Sequence, residues 1–192
     1  MSIRHTILGF LNWQPRTGYD LKKLISDSEF LHWSGNSNQI YTALVQLHRE
    51  GLVGARTEQQ PNLPPRKIYT LTDSGRQELR SWVQSRPELP EVRNTFLAQL
   101  AWADQLTAAE IDNFVGAYEE EVGMRLAMCR ERIRRGPHSP DRTPRERYLW
   151  TMAHENRWRA WETELAWVRA LRQGLGEYDD AGNERGGGTH AT

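Results

Sequence analysis

Two capping boxes govern what this chain can become. Thr107-Ala-Ala-Glu110 and Thr143-Pro144-Arg145-Glu146 each place a hydroxyl three residues before a carboxylate, the arrangement that satisfies the first free amides of a helix. The second adds proline at the first helical position, where its fixed φ suits the turn. Behind the first box, Ile111, Phe114, Val115, Tyr118, Val122, Leu126, Cys129 and Ile133 fall on one stripe at helical period, predicting a helix to Arg135. Gly136, Pro137 and Pro140 interrupt it, and the second box opens a helix expected to reach Gln173. At 1.5 Å per residue each would be about 45 Å long. One small globule cannot cover a stripe of that length, so these helices are expected to cross a second copy of the chain.

The first half is patterned differently. Ile7, Leu8 and Leu11 predict a short helix over 4–12, closed by the cluster Pro15-Arg16-Thr17-Gly18. Thr17 stands three residues before Asp20 as a cap, and Leu21, Leu24 and Ile25 form the apolar face of a second helix. A polar connection over 27–36 follows, then a third helix capped by Asn36 or Ser37 and running to about Glu50, with Ile40, Leu44 and Leu47 facing inward and Gly51 as its stop. The β-prone runs 52–58 and 66–71, joined by a loop over 59–65, predict a hairpin. A further helix begins near Thr72, and residues 86–91 break the chain. EVRNTFLAQLAWAD is read as one helical segment before Thr107.

Three helices followed by a hairpin within about eighty residues is the order of a winged helix-turn-helix, whose third helix enters the DNA major groove. The third helix divides accordingly. Its apolar face anchors it, while Ser37, Asn38, Gln39, Thr42 and Gln46 lie elsewhere on the wheel. Asn and Gln pair bidentately with adenine, Ser and Thr reach base edges or phosphates, and the Tyr41 hydroxyl can bond a phosphate. Arg66 and Lys67, on the returning strand, are placed where a wing meets the sugar-phosphate backbone. The chain carries 25 basic and 25 acidic side chains, so total charge says nothing of a nucleic-acid partner; residues 1–85 hold ten basic against seven acidic ones, a small excess.

These residues resemble a known family. ILGFL at 7–11, TGYDLKKLI at 17–25, NQIYTALVQLHREGLV at 38–53 and RKIYTLTDSGRQEL at 66–79 are similar to the amino-terminal domain of PadR-like transcriptional regulators, in order and over about residues 3–85. The resemblance implies a winged-helix repressor acting as a homodimer on a pseudo-palindromic operator, with 38–50 as recognition helix, Arg66 and Lys67 in the wing and Tyr41 on the DNA backbone. The second half resembles the longer carboxy-terminal helical domain of one branch of that family. The chain departs from the family pattern at Thr42, where many members carry proline, and in its proline-rich wing tip.

The fold expected is therefore mainly α: a winged-helix DNA-binding domain over 1–85, an all-α dimerisation and effector domain over 86–173, and a disordered Gly-rich tail over 174–192. Eight tryptophans are many for this length. They are read first as core and dimer interface, where aromatics dominate buried area. The functional alternative is an aromatic-lined pocket for a small planar effector, built from Trp102, Trp150, Trp158 and Trp161, whose ligand releases the repressor. The single cysteine, Cys129, reads as a packed thiol.

Enzymatic readings find little support. His154-Glu155 lacks the second histidine at i+4 that a zinc helix needs, since Trp158 stands there, and the pair reads as a solvated face. No phosphate loop or nucleophile elbow occurs. No enzyme, metal or cofactor is expected, and with no apolar span of about twenty residues, no membrane either. A cytoplasmic protein binding double-stranded DNA is the reading; a helical protein-interaction adaptor without DNA binding is the alternative.

Overall fold

The computed structural model describes residues 3–28, 30–31, 37–61, 63–90, 94–136 and 140–186. The chain forms two compact units, Met1–Leu89 with Pro137–Trp150 and Pro90–Gly136 with Thr151–Thr192.

In the first unit, helices α1 (Ile3–Trp13), α2 (Gly18–Asp27), α3 (Ser37–Arg49) and α4 (Asp73–Gln84) accompany a three-stranded antiparallel sheet, order β1-β3-β2, made of β1 (Arg16–Thr17), β2 (Val53–Gln60) and β3 (Leu63–Leu71). Its core gathers the apolar positions that periodicity marks: Ile7, Leu8 and Leu11 from α1, Leu21, Leu24 and Ile25 from α2, Ile40, Leu44 and Leu47 from α3, with Val53, Tyr69 and Leu71 from the hairpin. The Thr17 box forms as expected: the Asp20 amide donates to Thr17 Oγ1 (3.1 Å) and the Thr17 amide to Asp20 Oδ2 (3.1 Å). Gly51, at φ 73°, ends α3 in the left-handed conformation that glycine adopts without strain. Asn36, the other cap considered for α3, lies outside the described residues.

Several boundaries differ from expectation. The hairpin strands run through the residues read as a seven-residue loop, and Gln60 pairs with Leu63. A register shift between Glu58 and Gln60 accommodates the change, and bulges and edges are the places where strands tolerate prolines such as Pro64 and Pro65. Arg16 and Thr17, read as part of a helix-ending cluster, also pair with Tyr69 and Ile68 as a short strand. The chain returns to the first unit after Gly136: Arg142 donates to the Asn12 carbonyl (2.8 Å), and Trp150 packs its ring against Phe30 (5.1 Å) and Phe10 (6.3 Å). A simple division at residue 85 misses that return.

In the second unit, α5 (Thr95–Leu100) and a 3-10 turn (Ala103–Gln105) replace the single segment expected, because Asn94 caps α5 late by accepting from the amides of Phe96 and Leu97. Helix α6 (Ala108–Arg135) opens on the Thr107 box. Helix α7 (Pro144–Gly186) opens with the Glu146 amide on Thr143 Oγ1 (3.0 Å), but the Glu146 carboxylate takes the Arg142 amide and guanidinium instead of the Thr143 amide. Phe96, Val115 and Val168 form the buried core, flanked by Leu165, Leu171 and Leu175. Arg172 joins the helices through Asp112 (2.6 and 2.9 Å) and Glu119 (3.3 Å). The helix continues past Gln173, where a disordered tail was expected to start, because Leu175 still packs on this core and Gln173 bonds Glu177 (3.0 Å); residues 187–192 lie outside the described ones. His154, read as part of a solvated pair, is buried, while Glu155 pairs with Arg159. Cys129 is buried, as a packed thiol should be.

Candidate nucleic-acid interface

The polar rim of α3 is positioned by what lies behind it. Ile40, Ala43, Leu44 and Leu47 are buried, so the intervening Asn38, Gln39, Tyr41 and Thr42 are turned outward, and all four are exposed. Ser37 is the first residue of α3, and its side chain lies outside the described ones. Not every polar atom on the rim is available. Thr42 Oγ1 donates to the Asn38 carbonyl one turn back (2.9 Å), which leaves its methyl and an acceptor position for a base. Gln46 donates to Glu50 (2.7 Å) and is thereby tied to the end of its own helix.

Beside that rim lies an open cleft of about 520 Å³ lined by the start of α2, by Tyr41 of α3 and by Arg66, Lys67 and Tyr69 of β3. The structure therefore brings Tyr41 of the expected recognition helix together with Arg66 and Lys67 of the expected wing around one concavity, whereas Asn38, Gln39 and Thr42 do not line it. Gly18 leaves room for the Tyr41 ring, because a Cβ there would lie 2.6 Å from Tyr41 Cε1. Next to it, Tyr19 is 68% exposed and lines the same cleft. In the sequence Tyr19 stands out only as part of a motif; a single exposed aromatic inside the Thr17–Asp20 capping box carries no periodic signal of a binding role.

The wing is less basic than its sequence suggests. The register sets Glu58 opposite Arg66, and the two pair across the hairpin at 3.0 Å. Lys67 places its ammonium 5.4 Å from the centre of the Tyr69 ring, so an apolar face supports its charge beside the cleft. Behind the interface, Arg4 of α1 grips Glu50 with two bonds (2.5 and 3.0 Å); with help from the Gln46 amide this holds the Glu50 carboxyl at about 2, far below its usual range.

The tryptophans considered for an effector site are scattered. Trp150 belongs to the first unit. Trp102 is 75% exposed beside the 3-10 turn, and Trp158 carries the Arg159 guanidinium over its ring (5.9 Å). Of these four, only Trp161 lines the cleft of the second unit, together with Phe96, Tyr118, Asn94 and Arg157; of those the sequence pattern marks only Tyr118, as part of the apolar stripe behind Thr107. Among the described residues no group of three or more His, Cys, Asp or Glu is arranged to hold a metal ion.

Comparisons with known proteins agree with this geometry. Residues 7–81 match the model of the transcriptional regulator PadR-like family. The negative transcriptional regulator PadR of Bacillus subtilis is 34% identical over 109 residues, a match that spans 56% of this chain and 60% of that protein's own length. The solved structure of Bacillus subtilis PadR in complex with operator DNA superposes with a TM-score of 0.78 at 24% identity, covering 90% of this chain and 98% of that one. Its structure in complex with p-coumaric acid gives 0.74 at 22%, over 90% and 98%. Residues 7–81 are thus similar to the PadR-like family of transcriptional regulators, and the chain spans about 60% of the length of the Bacillus subtilis relative it matches.

Proposed function

We propose that the chain is a DNA-binding transcriptional regulator, a repressor that binds a pseudo-palindromic operator as a homodimer. The observation that carries this reading is the union, in one unit, of an exposed Asn38–Thr42 rim backed by a buried apolar face with a cleft bordered by Tyr19, Tyr41 and Lys67. The rim supplies groups that read base edges; the cleft supplies two phenolic hydroxyls and an ammonium for the phosphates alongside. In this division Gln39 and Asn38 specify sequence, with Thr42 at the margin of the same surface and Ser37 as a further contact to the DNA. Arg66 and Lys67 contribute affinity for any duplex. Two recognition helices from a symmetric dimer would meet half-sites about one turn apart, near 34 Å. Release by a small planar effector is the regulatory half of the reading, supported by the Bacillus subtilis PadR structure that holds p-coumaric acid. Its place is the cytoplasm, with the DNA; among the described residues no helix is long and apolar enough to cross a membrane.

Selection of bound duplexes from a random pool tests the reading. An enriched inverted repeat, with affinity that falls steeply as salt rises, is the expected result. No enrichment, or binding indifferent to salt, would leave a helical adaptor as the better description.

A further inference from the structure

Acyl donors distinguish two side chains that both serve DNA as cations: a lysine amine can be acylated, whereas the delocalised guanidinium of arginine stays charged. Among the 25 basic side chains of this chain, Lys22, Lys23 and Lys67 are the only lysines. All three fall in the first unit. Lys22 and Lys23 lie on α2, away from the cleft beside the recognition helix; Lys67 lines it, the one lysine among its lining residues. It is exposed on β3, its Nζ lies 5.4 Å from the centre of the buried Tyr69 ring, and no carboxylate among the described residues pairs with it. Its neighbour Arg66 is paired with Glu58 (3.0 Å). Of the two cations lining the cleft, Lys67 is therefore the one whose charge no carboxylate offsets.

The surroundings of that amine suit a phosphorylated reagent. Tyr19 and Tyr41, both exposed, border the cleft with their phenolic groups, and Arg66 keeps guanidinium N–H groups beyond the one that Glu58 takes. The lining carboxylate, Asp20, is engaged in its own helix cap by the Thr17 amide (3.1 Å) and hydroxyl (2.8 Å). Donors that serve a DNA phosphate serve the phosphate of an acyl phosphate equally. We infer that Lys67 is a site of acylation by acyl phosphates, and that its acylation weakens the chain's hold on DNA. The step balances without a further reagent. Once the ammonium has given one proton to water, the Nζ lone pair attacks the acyl carbon and the C–N bond forms. The bond from that carbon to the phosphate oxygen breaks with its electron pair on the phosphate, which also takes the second proton lost by nitrogen. The product amide is uncharged, so the cation over the Tyr69 ring and its contact with the sugar-phosphate backbone are both lost. That this loss regulates rests on the regulator reading; that Lys67 is acylated does not.

The test treats the full chain with acetyl phosphate and, in parallel, with the uncharged N-hydroxysuccinimidyl acetate, and maps the modified lysines by peptide mass spectrometry. The uncharged ester should label Lys23 and Lys67, both exposed, to similar extents. Acetyl phosphate should favour Lys67 over Lys23 by at least about threefold, through the local concentration of an anion at a cationic cleft, and inorganic phosphate should suppress that excess. Electrophoretic titration with a random-sequence duplex reads the consequence. For each acylated Lys67 on the duplex, affinity should fall about eightfold at about 0.1 M salt and the slope of log affinity against log salt by about 0.9, the share of one phosphate contact. Treatment should leave the affinity of Lys67→Arg at that variant's own untreated value, whereas Lys22→Arg with Lys23→Arg should respond as the parent chain does. Even labelling by acetyl phosphate, an excess indifferent to inorganic phosphate, or an equal response in Lys67→Arg overturns the inference. So does complete acylation of Lys67 with affinity for DNA unchanged. An untreated chain without salt-dependent binding to any duplex defeats the regulator reading instead, and the labelling pattern then decides the acylation site by itself.

Discussion

Thr72 and Gly75 show how much one short motif can hold. The Thr72 hydroxyl accepts from the Gly75 amide (3.0 Å), capping α4, and its own proton points to the carbonyls of Gly51 and Leu52 (2.8 and 2.9 Å), which fixes α4 to the turn before the wing. Gly75 is required by proximity: a Cβ there would lie 2.1 Å from the Leu52 carbonyl oxygen and 2.7 Å from Leu71 Cδ1. Because the first obstacle is backbone, Gly75→Ala must displace the α4–hairpin junction, and a loss of roughly 2–4 kcal/mol in urea denaturation is expected; a loss below about 0.5 kcal/mol would show that the junction yields freely. Glu50 makes a pH-dependent contribution at the other end of the same turn. Its carboxyl is lowered from 4.5 to about 2 by Arg4 and then Gln46, so the ionised form is favoured by folding. The stabilisation is complete above the unfolded value near 4.5 and drains away as pH falls toward 2. Glu50→Gln should therefore lose less stability than the parent chain between those limits, measured as melting temperature against pH; parallel curves would refute the linkage.

At the scale of elements, the hairpin carries its own attenuator. Glu58 neutralises part of the field of Arg66 without contributing much stability, since exposed pairs of this kind are worth about 0–1 kcal/mol. Glu58→Gln should tighten binding to any duplex and steepen the plot of log affinity against log salt, by up to about 0.9 if Arg66 then gains a full phosphate contact. Arg66→Ala with Lys67→Ala should flatten the same plot, whereas Gln39→Ala should change the preferred base at one position at a cost of about 1–3 kcal/mol. Identical behaviour of the wing and helix variants in electrophoretic titration would abolish the division of labour. These elements were legible in the sequence to different depths. Thr17-Asp20 and Thr107-Glu110 marked helix starts because a capping box is complete within four residues. The stripe on α6 was legible because its period is local. The strand at Arg16–Thr17, the pairing through Pro64 and Pro65, and the stack of Phe96 on Tyr118 depend on partners about 20 to 50 residues away for the first and third, and on a register shift for the second. Glycines 174 and 176 signalled an end to α7, and the packing of Leu175 overrode them.

On the regulator reading, a chain of zero net charge draws no attraction to DNA from its total, and doubling a locally favourable surface would raise its affinity. A dimer does this, and α6 offers a face for it: Val122, Leu126 and Cys129 are buried within the unit, while Met124 and Met128, four residues apart on another side, are exposed. Exposed apolar pairs at i and i+4 on a long helix are suited to a second helix, and methionine adapts its shape to such a surface. Met124→Glu with Met128→Glu sets two carboxylates where apolar contact is expected and leaves the first unit untouched. Sedimentation should show a monomer. Affinity for an intact inverted repeat should fall by roughly 100-fold, to the level of a single half-site, because the second contact is no longer intramolecular. Affinity for an isolated half-site should stay constant, which separates loss of pairing from loss of fold. If the double variant remains a dimer and binds the full repeat as before, the α6 methionines do not form the pairing surface and the dimer must be built on another face.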